Sequence, residues 1–192
     1  MEDGPERHFL LSPASLTGVR GRRIVAGRGA TPLMEALRSG GAVPLGDVYT
    51  AISSLYFGGK RDYAHCFTSE PGDGVLVITP SRGLVPVDAP VDLAGLKAFA
   101  DSAIAVDEPS YTEPLLHTSR TLLERLPGDA GIVLLGSVAT SKYLTPLGEV
   151  FGERLLVPRS FIGRGSLSRG SVLRRAIASG QELEYVRASG LA

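Results

Sequence analysis

Short apolar runs alternate along this chain with longer stretches in which apolar residues return every three or four positions. The runs 8–11 (H-F-L-L), 75–78 (V-L-V-I), 131–135 (G-I-V-L-L) and 155–157 (L-L-V) are continuous and short, the pattern of strands buried on both faces. Between them the helical period predicts helices over 31–38, 47–67, 93–104 and 142–151, and one carrying Leu115, Leu122 and Leu126 on one face. Thr31-Pro32 is a strong start signal, an N-cap followed by Pro at the first helical position. Gly58-Gly59 is placed to kink the long helix. A last helix, capped by Ser168, runs to Ser179-Gly180, and the tail 182–186 adds an edge strand. The segment 70–74 reads as a turn, and 17–29 and 79–92 as loops.

Strands that alternate with helices predict one α/β domain spanning 1–192. Its sheet is expected to be mostly parallel, of about four or five strands, with helices on both faces and right-handed crossovers. In such a sheet the ligand crevice opens beyond the carboxyl ends of the strands. Each predicted strand leaves into a loop bearing hydroxyls: Ser12 and Ser15, Thr79 and Ser81, Ser137 and Thr140, Ser160 and Ser166. Parallel strands bring these loops together.

The loop from the fourth strand into the last helix, 157–175, is made almost entirely of Gly, Ser and Arg. Gly163, Gly165 and Gly170 let the backbone turn its amides inward, and Arg159, Arg164, Arg169, Arg174 and Arg175 stand there without an acid between 155 and 180. That combination describes an anion site. It is neither a Walker loop, which needs Lys after its second Gly, nor a dinucleotide fingerprint, since Ser168 stands where a third Gly belongs. The expected binding set is Ser12, Ser81, Arg82, Gly83, Ser137, Gly163, Arg164, Gly165, Ser166, Ser168 and Arg169. Asp88, in a strand-exit loop near Arg82, is the carboxylate to pick for activating water or holding a sugar hydroxyl, although its position favours an Asp that closes a turn before Pro90. Lys60 and Arg61 read as exposed cations, Tyr63 as core and His117 as a flank or core histidine of its helix and not a catalyst.

Formal net charge is zero over 192 residues, with the basic charge gathered in patches, Arg20, Arg22, Arg23 and Arg28 among them. One cysteine excludes an internal disulfide, and three scattered histidines give no zinc-ligand spacing, so neither metal nor cofactor is expected. No apolar run reaches membrane-span length and the first residues lack a signal-peptide pattern, so a cytoplasmic protein without membrane contact is expected. Oligomeric state is left open by the sequence.

The exits L-L-S-P-A-S (10–15), V-I-T-P-S-R-G-L (77–84) and V-L-L-G-S (133–137), with the later G-R-G-S-L-S-R-G, resemble an uncharacterised bacterial domain family. More remotely they are similar to YaaA-type peroxide-stress proteins and to the uracil-DNA-glycosylase-like domain of archaeosine synthases. The resemblance implies an α/β domain concerned with nucleotide, nucleic-acid or modified-base chemistry, its site built from Ser12-Pro13, Ser81-Arg82-Gly83 and the 163–170 loop. The chain carries no G-x-D-P-Y segment. The expectation is therefore an enzyme, a hydrolase or transferase, acting on a nucleotide, nucleoside or nucleic-acid base, with the N-glycosidic bond a candidate. Its partner is a phosphate-bearing small molecule; the alternative is a non-catalytic DNA- or RNA-binding or stress-response protein that grips phosphates through its arginine-rich loops.

Overall fold

Side chains along the central strands point alternately to two separate apolar layers, and that alternation sets the architecture. The computed structural model describes residues 6–70, 74–138 and 140–191; residues 1–5 and the middle of the turn expected at 70–74 lie outside them. The chain begins with strand β1 (Arg7–Leu11) and helices α1 (Val19–Val25) and α2 (Pro32–Arg38), then the short β2 (Val43–Pro44) and α3 (Leu45–Ile52). A single π-helical turn, Ser54–Gly58, leads into α4 (Gly59–Phe67). Strands β3 (Val75–Ile78), β4 (Leu84–Pro86) and β5 (Pro90–Val91) precede α5 (Leu93–Asp101) and α6 (Pro109–Arg125). Then come β6 (Gly131–Leu135), α7 (Ser141–Phe151), β7 (Leu155–Pro158), α8 (Ser166–Ser179) and β8 (Tyr185–Arg187).

The main sheet has six strands in the order β4-β3-β1-β6-β7-β8, and β2 pairs with β5 apart from it. β3, β1, β6 and β7 run parallel, while β4 and β8 are antiparallel at the edges. Phe9, Leu11, Val75, Val77, Val133 and Leu135 face a layer that includes Val48 and Tyr49 of α3, Tyr63 of α4 and Leu173 of α8. Leu10, Leu76, Ile78, Ile132 and Leu134 face Tyr111 and Leu115 of α6 and Tyr143 and Leu147 of α7. Most of these side chains are fully buried, each worth about 1.5–3 kcal/mol relative to exposure. The helices change face where the direction of strand addition reverses, at β1, as a uniform crossover hand requires.

The α/β class and mostly parallel sheet agree with expectation, but the sheet has six strands where four or five were expected. The edge strand expected over 182–186 is present as β8, and the additional strand is β4, a short edge piece with no apolar run to announce it. β4 arises because Gly83, at φ +64°, turns the chain back along β3. The 17–29 loop contains a helix, α1, whose Ile24 is buried between exposed arginines. The long helix expected over 47–67 breaks at Ser53 and the π turn, and the Gly pair lies inside the resumed helical path. α5 stops at Asp101, short of 104. α8 starts at Ser166 with Gly165 as N-cap, so Ser168 is not the cap; it lies in the first turn and accepts a hydrogen bond from Arg164 at 3.1 Å. Among the described residues no helix is long and apolar enough to cross a membrane.

Candidate functional site at the carboxyl ends of the strands

The four parallel strands stand in the order β3-β1-β6-β7, so strand addition goes one way from β1 to β3 and the other way from β1 to β6. Loops diverge at such a switch point and leave a crevice beyond the strand ends. A cavity of about 490 Å³ opens there, lined by the β1 exit (Pro13 to Thr17), Pro80 after β3, Tyr49, the 99–104 segment, and Lys142 and Tyr143 of α7. Ser15 and Thr17 lie side by side on its wall, their hydroxyls 3.2 Å apart, and Ser15 Oγ also accepts from Gly18 N–H. Tyr49 is fully buried, and its hydroxyl has no hydrogen-bond partner among the described residues.

Beside the β1–β6 junction lie two buried cations. Lys60, 1 % exposed, donates from Nζ to the Ser12 carbonyl and, at 2.9 Å, to Ser12 Oγ. Arg169, 6 % exposed, donates from Nε to the Phe161 carbonyl and from Nη1 to the Gly136 carbonyl, so one guanidinium ties the exits of β6 and β7. Aromatic faces take up their remaining surface: Tyr56 and Phe57 lie 4.6 and 5.0 Å from Lys60 Nζ, and Phe161 lies 5.5 Å from the Arg169 guanidinium. Neither cation forms an ion pair with a carboxylate among the described residues. Burial, and then the nearby Arg169 charge, push the Lys60 ammonium down to about 7.

Local sequence explains how these side chains arrive. The π turn inserts an extra residue into the helical path, with Gly58 N–H bonding back to Ser53 O, and such turns re-aim side chains where they occur. Tyr56, Phe57 and Lys60 are brought inward together. On α8, Gly170 is indispensable because a Cβ there would lie 2.9 Å from the Leu55 carbonyl oxygen; without one, α8 sits close enough for Arg169 to reach the strand exits. The Tyr56 hydroxyl lies beside Arg169 without a well-formed hydrogen bond, and burial raises its pKa. Burial likewise raises Tyr49 and Tyr143, with each tyrosine feeling a neighbour: Tyr143 beside Tyr49, Tyr56 beside Tyr143. Tyr49 and Tyr143 line the cavity, while Tyr56 lies with its ring against Lys60.

The expected residues divide three ways. Ser12 and Arg169 meet at the junction, next to Gly136 and half-buried Ser137. Ser81, Arg82 and Gly83 form a closed turn after β3, fastened by Thr79 Oγ1 donating to Gly83 O and accepting from Arg82 N–H. Arg82 lies over Phe99, a cavity-lining ring, at 5.2 Å, which puts it at the margin of the crevice. Gly163, Arg164, Gly165 and Ser166 stay exposed on the surface, and Ser168 is half-buried with its hydroxyl turned to Arg164. Asp88 is elsewhere. Antiparallel β4 returns the chain to the amino end of β3, where Val87 N–H bonds Val75 O, and Asp88 beyond it is exposed and paired with Arg61 at 2.8 Å. Its turn reading describes that position, and it lies off the carboxyl rim.

The sequence reading also missed Lys60, taken as exposed, and the tyrosines 49, 56 and 143. Tyr63 is core, as expected, and of the two readings of His117, flank or core, the exposed flank is the one found. The only available signal for Lys60 was its place directly after an apolar, aromatic segment, 55–57, closed by two glycines. Comparison with protein-family models, characterised proteins and solved structures finds no match for this chain.

Proposed function

We propose that this protein binds a phosphate-bearing small molecule of the nucleotide or nucleoside class in the switch-point crevice and acts on it as a hydrolase or transferase. The N-glycosidic bond is the first candidate for cleavage. The observation that carries the reading is the pair of buried, acid-free cations at the β1–β6 junction. Burying a charge costs several kcal/mol unless a partner offsets it, and two like charges side by side compound the cost. An anion in the crevice supplies the offset, because the low-dielectric interior carries the field of both cations toward it. Ser15, Thr17 and Tyr49 supply hydroxyls to the ligand, and the rings of Phe99 and Tyr143 supply apolar faces for a base. Asp101 is the carboxylate that lines the cavity among the described residues, and it replaces Asp88 as the group to test for water activation.

Calorimetric titration with nucleoside monophosphates and nucleosides, with chromatographic detection of released base, tests the reading. The expected result is saturable binding, weaker by at least tenfold in Lys60→Met, and turnover that falls in Asp101→Asn but not in Asp88→Asn. Absence of binding at millimolar concentration for every ligand rejects the ligand class; binding without turnover rejects the enzyme.

A second reading has its own observation. Arg22, Arg23 and Arg28 of the α1 region line a hollow of about 730 Å³ that shares Leu16, Thr17, Ala100 and Asp101 with the crevice wall. A strand of nucleic acid would run its phosphates along α1 and leave one nucleotide in the crevice. Affinity for single-stranded oligonucleotides would then fall steeply with salt, and replacing the three arginines with Ala would flatten that dependence. Oligonucleotide binding that is absent at low salt rejects it.

A further inference from the structure

At the opposite end of the sheet, alternation along the strand places Glu6 and His8 on the face that α6 covers, the face of Leu10. Glu70, which closes the segment before β3, comes in beside them: a carboxylate oxygen of Glu6, an imidazole nitrogen of His8 and a carboxylate oxygen of Glu70 all lie within 4.8 Å of one another. The three line a cavity of about 530 Å³ whose far wall is α6, including His117 and Arg125. From these juxtaposed ligand atoms we propose that Glu6, His8 and Glu70 form a binding site for a divalent transition metal of the zinc type, open to the cavity on its fourth side.

Two independent observations support a ligand here. First, the His8 side chain is almost wholly buried, and its Nδ1 has no hydrogen-bond partner among the described residues. A buried imidazole ordinarily has both nitrogens engaged, so the free nitrogen of His8 marks a partner still to be supplied, a metal or, where Nε2 ligates, a bound water. Second, two carboxylates converge on that imidazole without a cation between them: Glu6 pairs only with His8 Nε2, at 2.6 Å, and Glu70 forms no ion pair among the described residues. Among the described residues Arg125 is the single arginine or lysine on the cavity wall, facing the two carboxylates Glu6 and Glu70.

The geometry is close to that of a metal site. Ligand atoms on one tetrahedral ion with bonds of about 2.1 Å stand about 3.4 Å apart. The Glu6–His8 pair is already nearer than that, and Glu70 is exposed and free to close a remaining distance of at most about 1.4 Å. Imidazole with two carboxylates is a borderline-to-hard donor set that suits zinc or its first-row neighbours and leaves an open coordination position, while magnesium prefers oxygen and water alone. The site lies at the amino ends of the strands, away from the crevice of the proposed function, and does not depend on it.

The test is calorimetric titration of the chelator-treated full chain with zinc chloride, with magnesium chloride as comparator. It is joined by the visible spectrum of the cobalt-substituted protein, which reports four- or five-coordination. One zinc ion per chain is expected, with no saturable magnesium binding. Affinity is expected to fall at least tenfold in Glu70→Gln, where an exposed side chain leaves folding intact, and to be lost in Glu6→Gln/Glu70→Gln. A His65→Ala/Cys66→Ala variant, which removes an exposed competing pair, should bind as before. No stoichiometric zinc binding overturns the proposal, as does binding that persists in Glu6→Gln/Glu70→Gln or disappears in His65→Ala/Cys66→Ala.

Discussion

Lys60 bears on stability and on binding in opposite senses. Its folded-state pKa of about 7 lies below the 10.5 of an unperturbed lysine, so between these values the unfolded chain binds the extra proton. Stability therefore rises with pH across that window and is lost as pH falls through the folded value. Between pH 7 and 9.5 the gain is on the order of 3 kcal/mol, and urea denaturation should show it in the wild type and not in Lys60→Met. At pH 7 that variant should unfold within about 1 kcal/mol of wild type, because a well-packed apolar side chain replaces an unpaired buried charge. Anion affinity should run the other way and weaken from pH 7 to 9 as Lys60 loses its proton. Asp88→Asn removes an ion pair that is more than half exposed on the carboxylate side, so its cost should stay near about 0.5 kcal/mol and ligand affinity should not change.

At the level of elements, the approach of α4 and α8 decides where the cation pair forms. The added methyl of Gly170→Ala would press on the Leu55 backbone, which cannot rotate away as a side chain would. The expected cost is about 1–3 kcal/mol in denaturant unfolding, together with weaker anion binding as Arg169 is carried away from Gly136 and Phe161. A loss of stability with unchanged binding would show that Arg169 does not need this registration. The turn at Gly83 plays the same part on the other side of the sheet: besides its φ of +64°, a Cβ there would lie 2.2 Å from the Pro114 carbonyl oxygen of α6. The β3 exit, Arg82 included, is thereby held against its neighbours.

On the scale of the whole molecule, four parallel strands with both faces covered form the rigid part, and antiparallel β4 and β8 close its edges. β8 is tied across the sheet end by Tyr185, whose hydroxyl lies 2.6 Å from that of Tyr63, and by Arg7 with Glu182 at 3.2 Å. Burial moves the Tyr63 phenol up to about 12, so both tyrosines stay protonated and the hydroxyl pair survives the alkaline range in which Lys60 is to be examined. Amide hydrogen exchange should find β1 and β6 slowest and the amides of β8 faster, because β8 is short, partly exposed and paired on one side. Equal protection of β8 and β1 would make the edge part of the same cooperative unit.

The order of apolar runs and helical periods was enough to determine a parallel α/β sheet, the end of it where loops gather, and Ser12 and Arg169 among the residues there. Burial on both faces leaves an unbroken apolar run, and that mark is local. The edge strand β4, α1 and the break at Ser53 were hidden because short or half-exposed elements owe their form to neighbours rather than to their own pattern. The positions of Lys60 and Asp88 were decided only by tertiary structure. A lysine reads as exposed unless the fold surrounds it, and a carboxylate in a loop reads as rim until the antiparallel return of β4 shows which end of the sheet it occupies. Whether a charge meets water, another charge or an aromatic face depends on contacts between distant segments, and no local window of the chain contains them.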